Sequence, residues 1–568
     1  MVKKDKFSHI ELKLTAEGTA QSSSYGPQKN PKTKENSGNR QGHGKKLKDT
    51  ASSIVSDWQE LKEEREEEEK PSLPDARRII LEIDPNAFEP EALKAYGIEV
   101  ISELEDGYII GASADLELSD LQTKIEKFIQ NEHGGNKVAE IWDLIDGVKK
   151  PEYILSEELW EKWHLISETE IYKIDVGIAC VGLKSQLPDY PKREKYADDE
   201  KYQEAINRWL NKREITYQEW DELYFSREEE LRRFVEGYQG EIVSSAHSNV
   251  QLPDSFSCRI SISGKGLKDL VFNFPYIFDV SEPDEFAKLL YPEDLSTDSD
   301  PVFVLEPPKL DAPKVCVIDS GIQERHPLLK AAIDSQNSQS WVPKETNRTA
   351  DLVSNGGHGT KVAGAVIYPR NIPRSGKESA ICWIQNARVL NDKCELPPEL
   401  FPPDLLGTIV EFYHKEKGTR IFNHSIAAAT PCRTRCMSAW ASAIDILTWN
   451  NDLLFVVATG NLPLDGRIGS TRLSVKEHLS KRSYPDYLLE NSCRIANPAQ
   501  SFQALTVGSV ALNYYHSPPL KSISQKDRPS AFSCSGLGIW ETIKPEVVEY
   551  GGDLVEDGKS PPGITSPK

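Results

Sequence analysis

The second half of the chain alternates short apolar strands with helices, and this alternation constrains the fold more than any other feature of the sequence. Strands that alternate with helices form a parallel sheet that is covered on both faces. We therefore expect residues 296–568 to form an α/β domain with a doubly wound parallel sheet. The pattern predicts strands at residues 315–319, 380–390, 420–423, 453–458 and 504–510, and helices at residues 359–366, 403–415 and 439–450.

Chemically active side chains stand where these strands end. Asp319 closes the apolar run Val315-Cys316-Val317-Ile318, Asn461 follows an apolar run that ends at Gly460, and His358 lies between glycines at the start of a helix. The carboxyl ends of parallel strands meet at one edge of a sheet, so we expect these side chains to converge. A buried carboxylate can fix an imidazole that takes a proton from a serine, and a carboxamide can stabilise an oxyanion.

The order of these segments resembles the subtilase family of serine peptidases. The matching motifs are Val317-Ile318-Asp319-Ser320-Gly321, His358-Gly359-Thr360 and Val456-Val457-Ala458-Thr459-Gly460-Asn461. Later segments at residues 504–510 and 544–548 fit the same family, and the resemblance covers residues 314–545. It implies a serine-type endopeptidase with a subtilisin-like fold, acting on peptide or protein substrates, with Asp319, His358 and Asn461 as catalytic residues.

The segment Asn423-His424-Ser425-Ile426-Ala427 resembles the family's Asn-x-Ser-x-Gly motif, whose backbone pairs with an extended substrate. The resemblance implies a substrate-binding role for Ser425, Ile426 and Ala427. Ala427 replaces the usual glycine, which leaves the primary specificity open. An ordinary buried strand end is the alternative interpretation.

The family's nucleophilic serine lies in a Gly-Thr-Ser segment at the start of a long helix, and this sequence contains no such segment. Ser566 stands in a faintly similar stretch but is followed by two residues, and Ser535 lies in a strand-like stretch that indicates a structural role. We therefore expect a truncated peptidase that is inactive as given. Two alternatives stay open: a pseudoprotease that binds peptides or a partner without cleavage, and a split enzyme completed in trans.

The first half of the chain shows a β-α-β-β-α-β order twice, which is the plan of a ferredoxin-like α+β unit. The predicted units occupy residues 75–150 and 151–295. Residues 1–74 are expected to form a flexible segment with a charged helix at residues 49–70, because residues 18–48 contain few large apolar side chains. Subtilases often carry a ferredoxin-like prodomain, so residues 75–146 or 170–281 could take that part. Substrate-binding or partner-binding domains are the open alternative.

Composition and charge indicate which partners and which cellular compartment to expect. A formal charge of -21 argues against nucleic acid as a default partner, and no stretch is apolar enough to predict a membrane span. The first residues lack a secretory pattern, and nine scattered cysteines favour a reducing compartment, so we expect a cytoplasmic protein. The sequence indicates no cofactor and no metal, leaves calcium open, and contains no residue that argues for the ATPase partners of some cytoplasmic subtilases.

Overall fold

The computed structural model describes residues 30–104, 107–183, 187, 189–285, 302–353, 357–369, 372–466, 472–559 and 564–565. Its helices are α1 (Pro31–Gly38), α2 (Arg40–Glu67), α3 (Ser119–Ile129), α4 (Glu157–Lys162), α5 (Asp199–Gly237), α6 (Gly264–Asn273), α7 (His358–Ile367), α8 (Pro402–Val410), α9 (Ala439–Asn451) and α10 (Val475–Lys481). Its first strands are β1 (Arg77–Ile83), β2 (Glu99–Glu103), β3 (Tyr108–Ser113), β4 (Ile141–Asp146), β5 (Ile171–Ala179), β6 (Glu241–Ser245), β7 (Ser255–Ser263), β8 (Ile277–Ser281) and β9 (Val302–Glu306).

The later strands are β10 (Lys314–Asp319), β11 (Gln339–Ser340), β12 (Ser375–Ser379), β13 (Trp383–Arg388), β14 (Ile421–His424), β15 (Leu454–Ala458), β16 (Leu505–Val510), β17 (His516–Ser517), β18 (Leu520–Ser522), β19 (Gly536–Leu537), β20 (Ile543–Lys544), β21 (Val547–Tyr550), β22 (Val555–Glu556) and β23 (Ile564–Thr565). Over the described ranges, none of the helices combines the length and apolar composition that a membrane crossing needs.

Two four-stranded antiparallel sheets confirm the predicted pair of ferredoxin-like units. The first has the strand order β2-β3-β1-β4, and the second has the corresponding order β6-β7-β5-β8. In the first sheet the central Ile80 lies opposite Ile110 and Ile145. In the second, Ile174 lies opposite Ile260. The sequence placed β1 and β5 correctly because both strands contain runs of residues that are buried in the sheets.

The prediction of a flexible segment is wrong for residues 31–48, which form α1 and the start of α2. These residues bury little apolar surface, but their polar groups bond to the first sheet. Thr33 donates to Asp84 at 2.5 Å, and the His43 ring pairs with the carbonyl of Ile141 at 2.9 Å. Leu47 is also fully buried. Composition missed these tertiary contacts, and residues 18–29 of the prediction lie outside the described residues.

Buried arginines join the two α+β units. Arg227 of α5 forms two hydrogen bonds with Glu99 of β2, at 2.9 and 2.7 Å, and its guanidinium lies over the ring of Tyr276. Arg65 of α2 pairs with Asp269 of α6 at 2.6 Å. All four charged side chains are at least nine-tenths buried, so the charges of each pair compensate each other away from water.

The third sheet is parallel throughout its seven strands, in the order β11-β13-β10-β14-β15-β16-β21. This is the predicted doubly wound sheet of an α/β domain. The register sets Ile318 beside His424 and His424 beside Val457, so that β10, β14 and β15 end at the same edge. Helices α8 and α9 pack on one face through an apolar cluster that includes Phe422 and Phe455.

The opposite face of this sheet is covered unevenly. On β14 to β16 the residues of the α8 and α9 face are buried, whereas alternate residues such as Val456 and Val507 are only partly buried. Leu454 and Val547 are 40% and 43% exposed. Parallel sheets are normally covered on both faces. We expected this of the whole sheet, but one face of β14 to β16 and β21 is only partly covered.

Candidate active site

Asp319 and His358 form a direct pair at the carboxyl edge of the parallel sheet. The Nδ1 atom of His358 lies 2.7 Å from Oδ1 and 2.9 Å from Oδ2 of Asp319. The Asp319 side chain is 1% exposed, and that of His358 is 17% exposed. The carboxylate is therefore held out of water, while part of the imidazole stays accessible.

The turn after β10 fixes the carboxylate. The backbone N–H of Ser320 donates to Asp319 Oδ1 at 2.7 Å. Gly359 passes so close that an added Cβ would lie 2.3 Å from the carbonyl oxygen of Gly321 and 3.0 Å from Asp319 Cβ. Glycine at position 359 is thus required for α7 to bring its first residue, His358, against the end of β10.

Asp351 is a site residue that the sequence did not reveal. Its side chain is buried and accepts hydrogen bonds from Ser320 Oγ at 3.0 Å, and from the backbone N–H and hydroxyl of Thr360 at 2.9 Å each. It therefore ties the turn after β10 to the first turn of α7 on either side of the Asp–His pair. Asp351 lies in a loop without periodicity, and no spacing signal distinguishes it from other loop carboxylates.

The electrostatic surroundings favour the charged form of the imidazole. Burial acts to lower the pKa of His358, but the adjacent Asp319 carboxylate outweighs burial and raises the pKa above its ordinary value. Protonated His358 therefore stabilises the folded state. That stabilisation is fully present below about pH 6.5, the unfolded pKa, and is lost as the pH rises through the raised pKa of the folded protein.

Replacing Asp319 with Asn should reverse the direction of this shift. Burial then remains without the carboxylate that opposes it, so the pKa of His358 should fall below its ordinary value of about 6.5. An NMR titration of the ring protons measures the change, with His358→Gln used to assign the signal. A His358 pKa that stays the same in the Asp319→Asn variant would show that the two side chains are not coupled.

Asn461 lies on the same edge of the sheet, three residues after β15. Gly460 has a φ of 93°, a left-handed conformation that turns the chain out of the strand, and Asn461 then pairs with Ser533 in an isolated bridge. Adjacent strands are about 4.8 Å apart, which puts the end of β15 about 10 Å from the end of β10. The sheet thus gathers the predicted catalytic residues at one edge, and their catalytic roles stay predictions.

The predicted substrate segment follows β14. The Ser425 hydroxyl donates to Asn423 Oδ1 at 2.8 Å, and Ile426 is buried. Beyond Ala427, the N–H of Ala428 donates to the carbonyl of Asn497 at 2.8 Å. The segment is therefore anchored at both ends, although its pairing with a substrate stays a prediction.

The segment that leaves the second α+β unit meets this region. The N–H of Ala429 donates to the carbonyl oxygen of Glu285 at 2.6 Å. Arg433 binds the carboxylate of Asp279, and its second amino group lies 3.4 Å from Ser281 Oγ. The end of β8 and the residues after it thus lie against the chain that continues from the predicted substrate segment.

Two serines are candidate nucleophiles in the sequence. Ser566 lies outside the described residues, and the backbone N–H of Ser535 donates to the carbonyl oxygen of Cys493 at 3.0 Å. Across the described ranges, the hydrogen bonds of the His358 ring go to Asp319. Within these ranges, His, Cys, Asp and Glu side chains also form no group of three that could hold a metal ion.

His424 is a second buried histidine beside the site. Its ring lies 5.2 Å from the ring of Trp440, and its Nδ1 atom has no hydrogen-bond partner among the described residues. Burial lowers the pKa of His424 to about 4. Since the folded pKa is lower than the unfolded value of about 6.5, acid favours the unfolded state, and stability is lost as the pH falls from about 6.5 to about 4.

Replacing His424 with Gln should remove this part of the acid sensitivity. A shift of this size corresponds to about 3 kcal/mol of stability lost between neutral pH and pH 4. Urea denaturation at pH 7 and pH 4.5 measures the loss in both proteins, with the fluorescence of Trp440 and its neighbours as the signal. Equal losses in the wild type and the variant would mean that His424 does not titrate as its burial indicates.

The domain thus combines a parallel α/β sheet with a buried Asp–His pair at its carboxyl edge. Residues 311–566 match the profile of the subtilase family, and residues 41–152 match a profile described as the Y4kK N-terminal domain. Residues 311–566 are thus a subtilase-family serine peptidase domain, as the motifs of the sequence predicted.

One curated protein shares a short stretch of similar sequence with this chain. The uncharacterized protein y4bN of Sinorhizobium fredii (strain NBRC 101917 / NGR234) is 32% identical over 127 residues, which are 21% of this chain and 28% of the relative. The match thus spans less than a third of that relative.

Solved structures that align with the chain include the following two. The epidermin leader peptide processing serine protease (EpiP) from Staphylococcus aureus aligns over 68% of this chain and 76% of its own, at 15% identity and a TM-score of 0.34. MycP1 from Mycobacterium smegmatis aligns over 50% and 75%, at 18% identity and a TM-score of 0.28. At these scores neither structure bears on the function of this chain.

Proposed function

We propose that residues 311–566 provide the acid–base half of a serine endopeptidase site. The observation that carries this proposal is the pair of contacts between His358 Nδ1 and the buried Asp319 carboxylate. A carboxylate on Nδ1 leaves Nε2 as the nitrogen that can accept a proton, which is the arrangement that general-base catalysis on a serine requires.

Each residue then has one role. His358 takes the proton of the attacking hydroxyl and later gives it to the leaving amine, while Asp319 holds the ring and stabilises the imidazolium. Asn461 donates its side-chain amide to the oxyanion, a contact whose loss costs about 2.7–4 kcal/mol of transition-state stabilisation. The backbone of residues 425–427 holds the substrate in an extended form.

The serine is proposed to come from a helix that packs on the partly covered face of the parallel sheet. Leu454 and Val547 leave apolar surface exposed on this face. Burying apolar surface contributes about 25 cal/mol per Å². A helix that carries a serine at its N-terminus would cover these side chains and place the hydroxyl at the sheet edge, near His358.

Expression together with the proposed serine-bearing helix tests the proposal. The coding DNA after codon 568 and the neighbouring reading frames are searched for a Gly-Thr-Ser segment, and its product is produced together with residues 1–568. Casein cleavage by the combination but not by either part supports the proposal. A combination that binds casein peptides and never cleaves them favours the pseudoprotease alternative.

A second role concerns the second α+β unit, which we propose covers the substrate cleft from within the chain. The supporting observation is the hydrogen bond from Ala429 to the carbonyl of Glu285, because that N–H belongs to the chain beside the substrate segment. The contact of Arg433 with Asp279 holds the two units together at the same place. In this role residues 170–281, one of the two ranges for which the subtilase resemblance suggested a prodomain, act as that prodomain together with the segment that continues to Glu285.

A further inference from the structure

Arg472 is a fully buried arginine that the proposed mechanism does not use. It lies three residues before α10, and its side chain is 1% exposed. Its Nε donates to the carbonyl of Ala429 at 3.0 Å, and Nη1 donates to the carbonyl of Ser492 at 3.1 Å and contacts Cys534 Sγ at 2.8 Å. One guanidinium therefore touches three separate stretches of chain.

Two of these stretches pair with each other directly after the predicted substrate segment. Ala429 lies just after the substrate segment. Ser492 begins the stretch that ends at Asn497, whose carbonyl accepts the N–H of Ala428 at 2.8 Å. In the same pairing, Cys432 donates to Ile495 at 2.7 Å. Arg472 thus binds both of the paired stretches.

The third stretch supports the predicted oxyanion residue. The backbone N–H of Cys534 donates to the carbonyl of Gly460 at 3.1 Å, and the preceding Ser533 forms the bridge with Asn461. The Cys534 sulfur also lies 3.6 Å from the place where a Cβ of Gly460 would be. A displacement of Cys534 would therefore displace the turn that presents Asn461.

We infer that Arg472 is a positioning residue, which holds the substrate segment and the Asn461 turn in a fixed relation to each other; the inference rests on the proposed peptidase function. A guanidinium has five donors in a rigid planar fork, so it can satisfy acceptors on several segments at once. A lysine ammonium is a single point of contact and cannot reach three segments in the same geometry.

The test compares three variants of the full chain by amide hydrogen exchange. Arg472→Met removes the guanidinium, and Arg472→Lys keeps the charge but not the fork. Arg388→Met is the matched control, because Arg388 is equally buried in the same domain and binds Arg348 and Glu345 instead. The amides of Ala428, Cys432 and Cys534 are read against those of the central strands β10 and β13.

We expect exchange at these three amides to become at least about tenfold faster in Arg472→Met, the size of one hydrogen bond to a charged group. Arg472→Lys should give an intermediate increase, and the central strands should keep their protection in both variants. Unchanged exchange at the three amides overturns the inference. A general increase over the whole domain, like that expected for Arg388→Met, also overturns it, because it indicates ordinary core stabilisation.

The same variants separate this inference from the proposed function. Hydrogen exchange needs no catalytic serine, so the result stands even if the chain never cleaves a peptide. In a form completed with the serine, Arg472→Lys should raise KM through the substrate segment and lower kcat through Asn461, each by about tenfold. If the completed wild-type form does not cleave peptides either, the proposed function is contradicted. The inference about Arg472 is then decided by hydrogen exchange alone.

Discussion

Replacing His358 with Ala in a form completed with the serine should lower kcat by about 10⁶-fold, because the serine loses the base that accepts its proton. Replacing Asp319 with Asn should cost about 10⁴-fold, because the imidazole stays in place but loses the carboxylate that sets its tautomer. The two effects should not add in a double variant, since both residues act on the same proton transfer. Single-turnover kinetics on a peptide substrate measures each rate.

His516→Ala provides the control for this series. His516 is exposed on the short strand β17 and has no contact with the Asp–His pair, so its replacement should leave kcat unchanged. The pH profile gives a second check, because the base must be unprotonated to act. The rate should rise with pH through the raised pKa of His358. A completed form in which His358→Ala retains full activity would contradict the proposed mechanism.

Replacing Arg433 with Met should open the cleft that the second α+β unit covers. Arg433 belongs to the peptidase domain, and its guanidinium binds Asp279 and Ser281 across the boundary between the units. The hydrogen bond between Arg433 and the charged Asp279 contributes about 1.5–3 kcal/mol, so its loss should make the open form about ten- to a hundredfold more populated. Faster exchange of the Ala429 amide and tighter binding of an added peptide measure the change.

Arg420→Met is the control for this prediction. Arg420 is an exposed arginine of the same domain, and it pairs with Asp452 within that domain, so its replacement should change neither the exchange of Ala429 nor peptide binding. If Arg433→Met behaves like Arg420→Met, the contact between the units does not limit access to the cleft. The second α+β unit would then be a partner-binding domain that happens to lie beside the site.

The fold could be predicted from the sequence because the spacing of apolar residues shows which positions of each strand and helix are buried. The parallel sheet was visible in runs such as Val315 to Ile318, which are apolar on both sides because helices cover a central strand on both faces. The strands of both ferredoxin-like units were visible as short apolar runs between polar stretches, with bounds that differ by a few residues. The helices at residues 31–48 were missed because polar groups such as Thr33 and His43 hold them, and periodicity does not report such contacts.

Site residues that belong to a sequence motif could be predicted. Site residues that act only through tertiary contacts could not. Asp319 and His358 could be paired because strand ends share an edge and their order matched a family. Asp351 and Arg472 could not be found, because each acts by joining segments that are distant in the sequence. Their partners, such as Thr360 and Cys534, become neighbours only when the sheet has formed.

The most direct test of the central claim is labelling with a fluorophosphonate, which reacts with an activated serine, followed by mass spectrometry of the labelled peptide. We predict no label on residues 1–568 alone. The completed form should carry one label, on the serine of the added helix, and His358→Ala should abolish it. A label on Ser566 or on any other serine of residues 1–568, or labelling that persists in His358→Ala, would contradict the account.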